Sequence, residues 1–184
     1  MHEPPQFSSK RPDGDTHDRM VCDRCGFIDY VNPKIVVGSV ITSQNGKIVM
    51  CRRAIEPRLG FWTIPAGYLE VHEDTVDGAK REAMEEACAD IAISSLLAVY
   101  NIPRISQVQL IYKAELVKPE IAAGPESLEV ALVDWDDIPW SDLAFPSVHW
   151  ALNHFDSVRT KDVFAPFTNP EGHVGNMMPP AQTE

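Results

Sequence analysis

The stretch whose reading decides the fold runs from Gly67 to Ala89, GYLEVHEDTVDGAKREAMEEACA. Asp74, Thr75 and Asp77 place acidic and capping side chains where a helix N-terminus favours them, with Thr75 the candidate N-cap. From Val76 onward only Gly78 weakens a helix, by about 1 kcal/mol relative to alanine. At roughly 100° per residue, Glu82, Glu85 and Glu86 share an arc of about 100° on one face. Val76, Ala83, Met84 and Ala87 lie on the other side, an apolar stripe suited to packing on a sheet.

Three carboxylates on adjacent turns repel one another unless a cation sits among them, and hard oxygen ligands suit Mg²⁺ or Mn²⁺. Taken alone, the cluster reads more simply as a solvated acidic helix face. The longer spacing changes that balance. Gly67, five residues, Glu73, seven residues, Arg81-Glu82, a small apolar residue, any residue, and Glu85-Glu86 together resemble the Nudix box. Where the box carries a further glycine, this chain has Cys88, and Ala89 stands in the closing aliphatic position. Glycine there ends a helix in the left-handed conformation at little cost, whereas cysteine is strained in it. The helix is therefore expected to run on and end near Asp90.

The resemblance implies an α/β/α sandwich with a mixed sheet, the box forming a loop-helix-loop. It implies a hydrolase that splits the P–O–P bond of a nucleoside diphosphate linked to another group. Metal ligands carried over from it are Glu82, Glu85, Glu86 and the carbonyl of Ala66, just before the box glycine. Arg81 would pair with Glu73 and fix the helix against its preceding loop. A carboxylate from outside the helix, Glu126 or Glu129 with Glu126 favoured, or one of the box glutamates, would take the proton of the attacking water. The start of the chain and IPAGYLE look most like enzymes acting on FAD or ADP-ribose. An NADH-directed relative is the alternative, but its Gln-Pro-Trp-Pro-Phe-Pro run is replaced here by SQVQLIY at 106–112. A Nudix-fold sensor that has lost catalysis is a further alternative, although no box glutamate is missing. A homodimer is expected from the family.

Composition agrees with a hydrolase of anionic substrates only if cations assist. The formal net charge of −11 argues against a general nucleic-acid binder and would repel a diphosphate. Metal ions and a few well-placed arginines would have to offset it. Arg52 and Arg53, at the end of a predicted strand over 47–53, point to opposite faces and are candidates for a substrate phosphate; pairing with Glu56 or another carboxylate is the plainer role for either. No apolar run is long enough for a membrane span, and MHEPPQFSSKRPDGD lacks the apolar core of a signal peptide. Cys22, Cys25, Cys51 and Cys88 make no disulfide framework, so a reducing cytoplasm is expected.

Residues 1–29 read as a flexible start containing one metal knuckle, Cys22-x-x-Cys25-Gly26, with His17 or His2 as possible further ligands for Zn²⁺. Together with Tyr30-Val-Asn-Pro-Lys34 it resembles the four-cysteine ribbon of one Nudix group with the first knuckle missing. The catalytic domain is expected over 30–165. Within it a hairpin at 35–53 turns at Asn45-Gly46, strands follow at 91–102, 106–117 and 129–135, and a second helix spans 146–158. Phe61 and Trp62 are expected in the core, and residues 166–184 as an extended or disordered tail.

Overall fold

The computed structural model describes residues 4–177. The chain divides into two compact units, one up to Pro33 and one from Lys34 onward. In the first, strands β1 (Phe7–Lys10), β2 (Arg19–Cys22) and β3 (Ile28–Asp29) form an antiparallel sheet in that order. The sequence reads residues 1–29 as a flexible start, yet Phe7–Lys10 pairs in register with β2. The turn between them is closed by the Asp15 N–H donating to Pro12 O (3.0 Å) and by Arg19 Nε donating to the Asp15 carboxylate (2.9 Å). Local polar bonds thus order a segment with little apolar content. Cys22 to Gly26 make a tight turn in which Gly26, at φ +74°, donates to Cys22 O.

The second unit is a mixed sheet between two helices. Its strands are β4 (Lys34–Thr42), β5 (Ile48–Arg53), β6 (Trp62–Thr63), β7 (Ala66–Tyr68), β8 (Ile91–Ile102), β9 (Gln107–Leu116) and β10 (Ser127–Val133). The main order is β10-β5-β4-β9-β8, with β4 and β9 parallel and the other neighbours antiparallel. The expected β4–β5 hairpin pairs only at its tip, Thr42 with Ile48. Beyond it the strands part, β7 running along β4 and β6 along β5. β9 begins at Gln107 because Ser106 turns the chain at φ +50°. β10 starts earlier than the pattern suggested, since Ser127 already pairs with Arg53 ahead of an irregularity before Glu129.

Strand alternation assigns the two faces. Val37 and Ile41 of β4, Val49 and Cys51 of β5, and Ala114 and Leu116 of β9 pack with Ala79, Ala83 and Ala87 of α1 (Thr75–Ala87). Val40, Ile48, Met50 and Ile111 face the other way, against Val148, Ala151, Leu152 and Phe155 of α2 (Pro146–Val158). The result is the α/β/α sandwich. Trp62 packs against the α2 cluster. Phe167 bridges to Ala98 at the β8 edge, and Asn169 exchanges hydrogen bonds with Asn101, so this part of the tail is extended and pinned; residues 178–184 lie outside the described residues.

Both ends of α1 differ from expectation. Asp74, not Thr75, is the N-cap: its Oδ1 accepts from the N–H groups of Val76 and Asp77, both at 2.9 Å. A carboxylate there also meets the positive helix end. Thr75 is the first helical residue, its hydroxyl 2.6 Å from Tyr112 Oη. At the other end the helix stops at Ala87 and Cys88 adopts the left-handed conformation, φ +48°. That conformation costs a non-glycine residue about 1–2 kcal/mol. It closes a reversal in which Cys88 N–H donates to Met84 O and Ala89 N–H to Ala83 O, and it buries Ala89. The loop before β10 then takes two further carbonyls, Ala122 N–H donating to Ala87 O and Gly124 N–H to Glu86 O. Continuing to Asp90 would keep the Cys88–Met84 bond, which is the ordinary helical one, and forfeit the others.

Candidate active site

The site forms where β7 crosses from β4 to α1. Gly67 pairs with Val37 and Ala66 with Gly38. Both glycines are there because backbone and carboxylate come too close for a side chain. A Cβ on Gly38 would fall 2.4 Å from Ala66 Cβ, and one on Gly67 would fall 2.3 Å from Glu82 Oε2. Gly78, which sequence alone counts only as a weak point of the helix, is closely packed as well: its Cβ would lie 2.8 Å from Leu69 Cδ1 and 2.9 Å from Glu73 Oε2, so those side-chain ends would have to shift.

Arg81 ties this arrangement together. Its Nε and Nη2 donate to the two oxygens of Glu73 at 2.8 and 2.9 Å, and Nη2 also donates to Tyr68 O. Its Nη1 donates to Glu82 Oε1 (2.7 Å) and Glu85 Oε2 (2.8 Å). The loop before the helix is thereby clamped to its middle. Arg81 holds the Glu73 carboxyl below its usual range, and Glu73 in turn raises the guanidinium.

The three box glutamates sit in different environments. Glu85 is exposed, whereas Glu82 and Glu86 are buried. Glu86 Oε2 accepts from Ala66 N–H at 3.0 Å. Burial pushes the Glu86 carboxyl up to about 7, opposed by the Ala66 N–H and Arg53 and reinforced by Glu82 and Glu126. Burial also raises Glu82, with Arg81 opposing and Glu85 and Glu126 adding to the rise. Beneath them Cys51 is pushed up to about 12 by burial and by Glu86, which leaves it an inert thiol.

The carboxylates at the start of β10 separate. Glu126 acts electrostatically on both Glu82 and Glu86, and its carbonyl accepts from Ala54 N–H. Glu129 instead lies 3.7 Å from Arg52. The arginines divide the same way. Arg53 bears on Glu86, its Nε donating to Pro57 O and its guanidinium lying over Phe145. Arg52 donates to Gly60 O beside its pairing with Glu129. Sequence reading missed the part played by Gly124, whose absent side chain lets the loop lie against Glu85 O and so places Glu126. The signal was the Gly-Pro pair at 124–125.

Residues 32–153 match the family model described as NUDIX domain. The chain belongs to the Nudix hydrolase family. Residues 5–31 match a second model, described as Nudix N-terminal, of the zinc-ribbon kind. A Nudix hydrolase structure from Nitrosomonas europaea is 40% identical, with a TM-score of 0.83 over 90% of this chain and 94% of that one. An ADP-ribose pyrophosphatase of Methanocaldococcus jannaschii is 27% identical over 60% of this chain and 67% of its own length. A NAD-capped RNA hydrolase NudC of Salmonella typhi is 26% identical over 65% of this chain, which spans 46% of that protein.

Does the site suit the divalent cation that this family implies? Among the described residues no three His, Cys, Asp or Glu side chains already converge as a finished cage. The donor chemistry nevertheless fits. Glu82, Glu85, Glu86 and the Ala66 carbonyl offer only hard oxygens, and burial raises the proton affinity of two of the carboxylates, a cost that a bound cation would offset. The Gly67 hollow that receives Glu82 keeps that carboxylate at the backbone which would share the ion.

Proposed function

We propose that this chain is a divalent-metal-dependent pyrophosphohydrolase acting on a nucleoside diphosphate joined to another group, ADP-ribose or FAD being the preferred class. The observation that carries this reading is the burial of Glu86 against the Ala66 N–H, next to a buried Glu82 whose arginine, Arg81, is shared with Glu73 and Glu85. Glu82, Glu85, Glu86 and the Ala66 carbonyl would hold Mg²⁺ or Mn²⁺. When bound, the ion neutralises the diphosphate oxygens and acidifies the attacking water. Arg81 and Glu73 position the helix against its loop and stay off the substrate. Glu126 accepts the water's proton; Glu129, engaged with Arg52, does not. Arg53 supplies positive charge to the substrate phosphates. The sequence likeness to an ADP-ribose pyrophosphatase supports the substrate class.

The NudC likeness supports a second reading, an NADH-type diphosphate or a NAD-capped RNA end. The acidic balance of the chain favours the small molecule over the RNA. We further place the enzyme in the cytoplasm as a homodimer, the first tested by fractionation and the second by light scattering. Chromatographic assay of ADP-ribose, FAD, NADH and NAD-capped RNA with Mg²⁺, Mn²⁺ or EDTA tests the whole reading. EDTA-sensitive cleavage of ADP-ribose or FAD to two monophosphates is expected. Tight binding without turnover would identify a sensor instead.

A further inference from the structure

The ribbon family matched by residues 5–31 implies a structural zinc, which takes four thiolate or imidazole ligands. The residues of this unit do not fit that ion. Cys22 and Cys25 are its thiols, and among the described residues no third His, Cys, Asp or Glu joins them in metal-holding geometry. His17 is exposed, with its Nδ1 2.9 Å from Thr16 Oγ1. His2 lies outside the described residues.

A zinc ribbon needs its ion to fasten one strand pair to the knuckle of the next. Here a side chain in the knuckle does that. Asp23, directly after Cys22, accepts from Ser8 Oγ at 2.6 Å and from Lys10 Nζ at 2.5 Å on one oxygen, while its N–H donates to Gln6 O at 2.9 Å. Ser8 and Lys10 alternate along β1 and so share a face. One knuckle residue therefore grips two positions of the first strand and the residue just before it. In the β1–β2 turn Asp15 accepts from Arg19, and the Arg19 guanidinium lies 5.3 Å from the centre of the ring of Tyr30, the residue directly after β3. A lone exposed ion pair adds little, but linked charges that share strands and backbone bonds add more.

We infer that the N-terminal unit of this chain is a metal-free ribbon, in which Asp23, bridging Ser8 and Lys10, replaces the zinc cross-link. Cys22 and Cys25 remain unmetallated.

The test uses the full-length chain expressed in zinc-supplemented medium, with metal content by mass spectrometry and tryptic cleavage after Arg19 as readouts. Zinc below about 0.1 per chain is expected, well short of the stoichiometric ion that a structural site retains. Cleavage should be unchanged by EDTA and in Cys25→Ser. It should quicken about fivefold or more in Asp23→Ala and Lys10→Met, since cleavage follows the population of the opened form. One zinc per chain, or one per two chains, that is lost in Cys25→Ser would overturn the inference. So would faster cleavage in EDTA, or an Asp23→Ala protein cut no faster than the parent.

Discussion

The two long helices have the same length, thirteen residues each, and lie on opposite faces of one sheet, yet they are held there by different means. α2 buries Val148, Trp150, Leu152, Phe155 and Val158, each large apolar side chain stabilising by about 1.5–3 kcal/mol. α1 buries Gly78, Ala79, Ala83 and Ala87, which contribute little area, together with two carboxylates that cost stability. It is placed instead by polar bonds: the Asp74 cap, the Arg81 clamp, the Glu86 bond to Ala66, and the loop amides on its last carbonyls. One face of the sheet supplies stability, and the other uses some of it to keep charge out of water.

Glu86→Gln should separate these roles most sharply. The amide can still accept from Ala66 N–H but cannot serve as an anionic ligand. Metal-dependent turnover should fall about a thousandfold or more, a barrier increase of about 4 kcal/mol. Stability without metal should move the other way. The native Glu86 carboxyl is raised from 4.5 to about 7, so the folded state binds the proton more tightly than the unfolded state. Its contribution is full below pH 4.5 and is lost as pH rises through about 7, on the order of 3 kcal/mol at most. Urea unfolding in EDTA at pH 5 and pH 8 should show that slope in the parent and a flatter one in Glu86→Gln. Equal slopes would mean that the burial of Glu86 is not what separates the two faces.

Phe155→Ala is the counterpart on α2. Removing this buried ring should cost roughly 3 kcal/mol of stability in urea or thermal unfolding. Turnover per folded molecule should stay within about twofold at low temperature, the two sites being on opposite faces and independent. A large loss of kcat in well-folded protein would show that the faces are coupled. Next in size is the pair Glu126→Gln and Glu129→Gln. The first should lower kcat about a hundredfold, with a changed pH profile, if Glu126 takes the proton. The second releases only Arg52 and should leave kcat within about twofold. The reverse order would exchange their roles.

How much of this was legible in the sequence follows the same division. α2 is held by apolar spacing, and its range, its proline start and its buried stripe could be read directly. The box glutamates, Arg81 and Glu73 were legible from their spacing, and the Arg81–Glu73 pair is present in the structure. The divergence of β4 from β5 was not, because alternation is the same whether a strand pairs with one neighbour or another. Nor was the separation of Glu126 from Glu129, which depends on a loop seated by Gly124 on carbonyls far away in sequence. Order in Phe7–Lys10 was missed because charged bonds around Asp15 and Asp23 leave no hydrophobic pattern.

Cys88 is the instructive failure, and it yields the smallest prediction. Local propensity spoke against cysteine in the left-handed conformation, so a longer helix was expected. The structure accepts that cost because the reversal at Cys88 buries Ala89 and frees the carbonyls of Glu86 and Ala87 for the loop that carries Glu126. The strain should then be recoverable. Cys88→Gly should stabilise the protein by about 1 kcal/mol, the left-handed penalty less the extra freedom glycine gives the unfolded chain. Since Cys88 is exposed and touches none of the box carboxylates by hydrogen bond or ion pair, kcat and KM should not change. Thermal melts of Cys88→Gly beside Cys88→Ala would settle it: alanine keeps the Cβ penalty, so only glycine should gain. A gain in both would place the cost in the thiol rather than in the backbone, and the end of α1 would then owe less to the loop that seats on it.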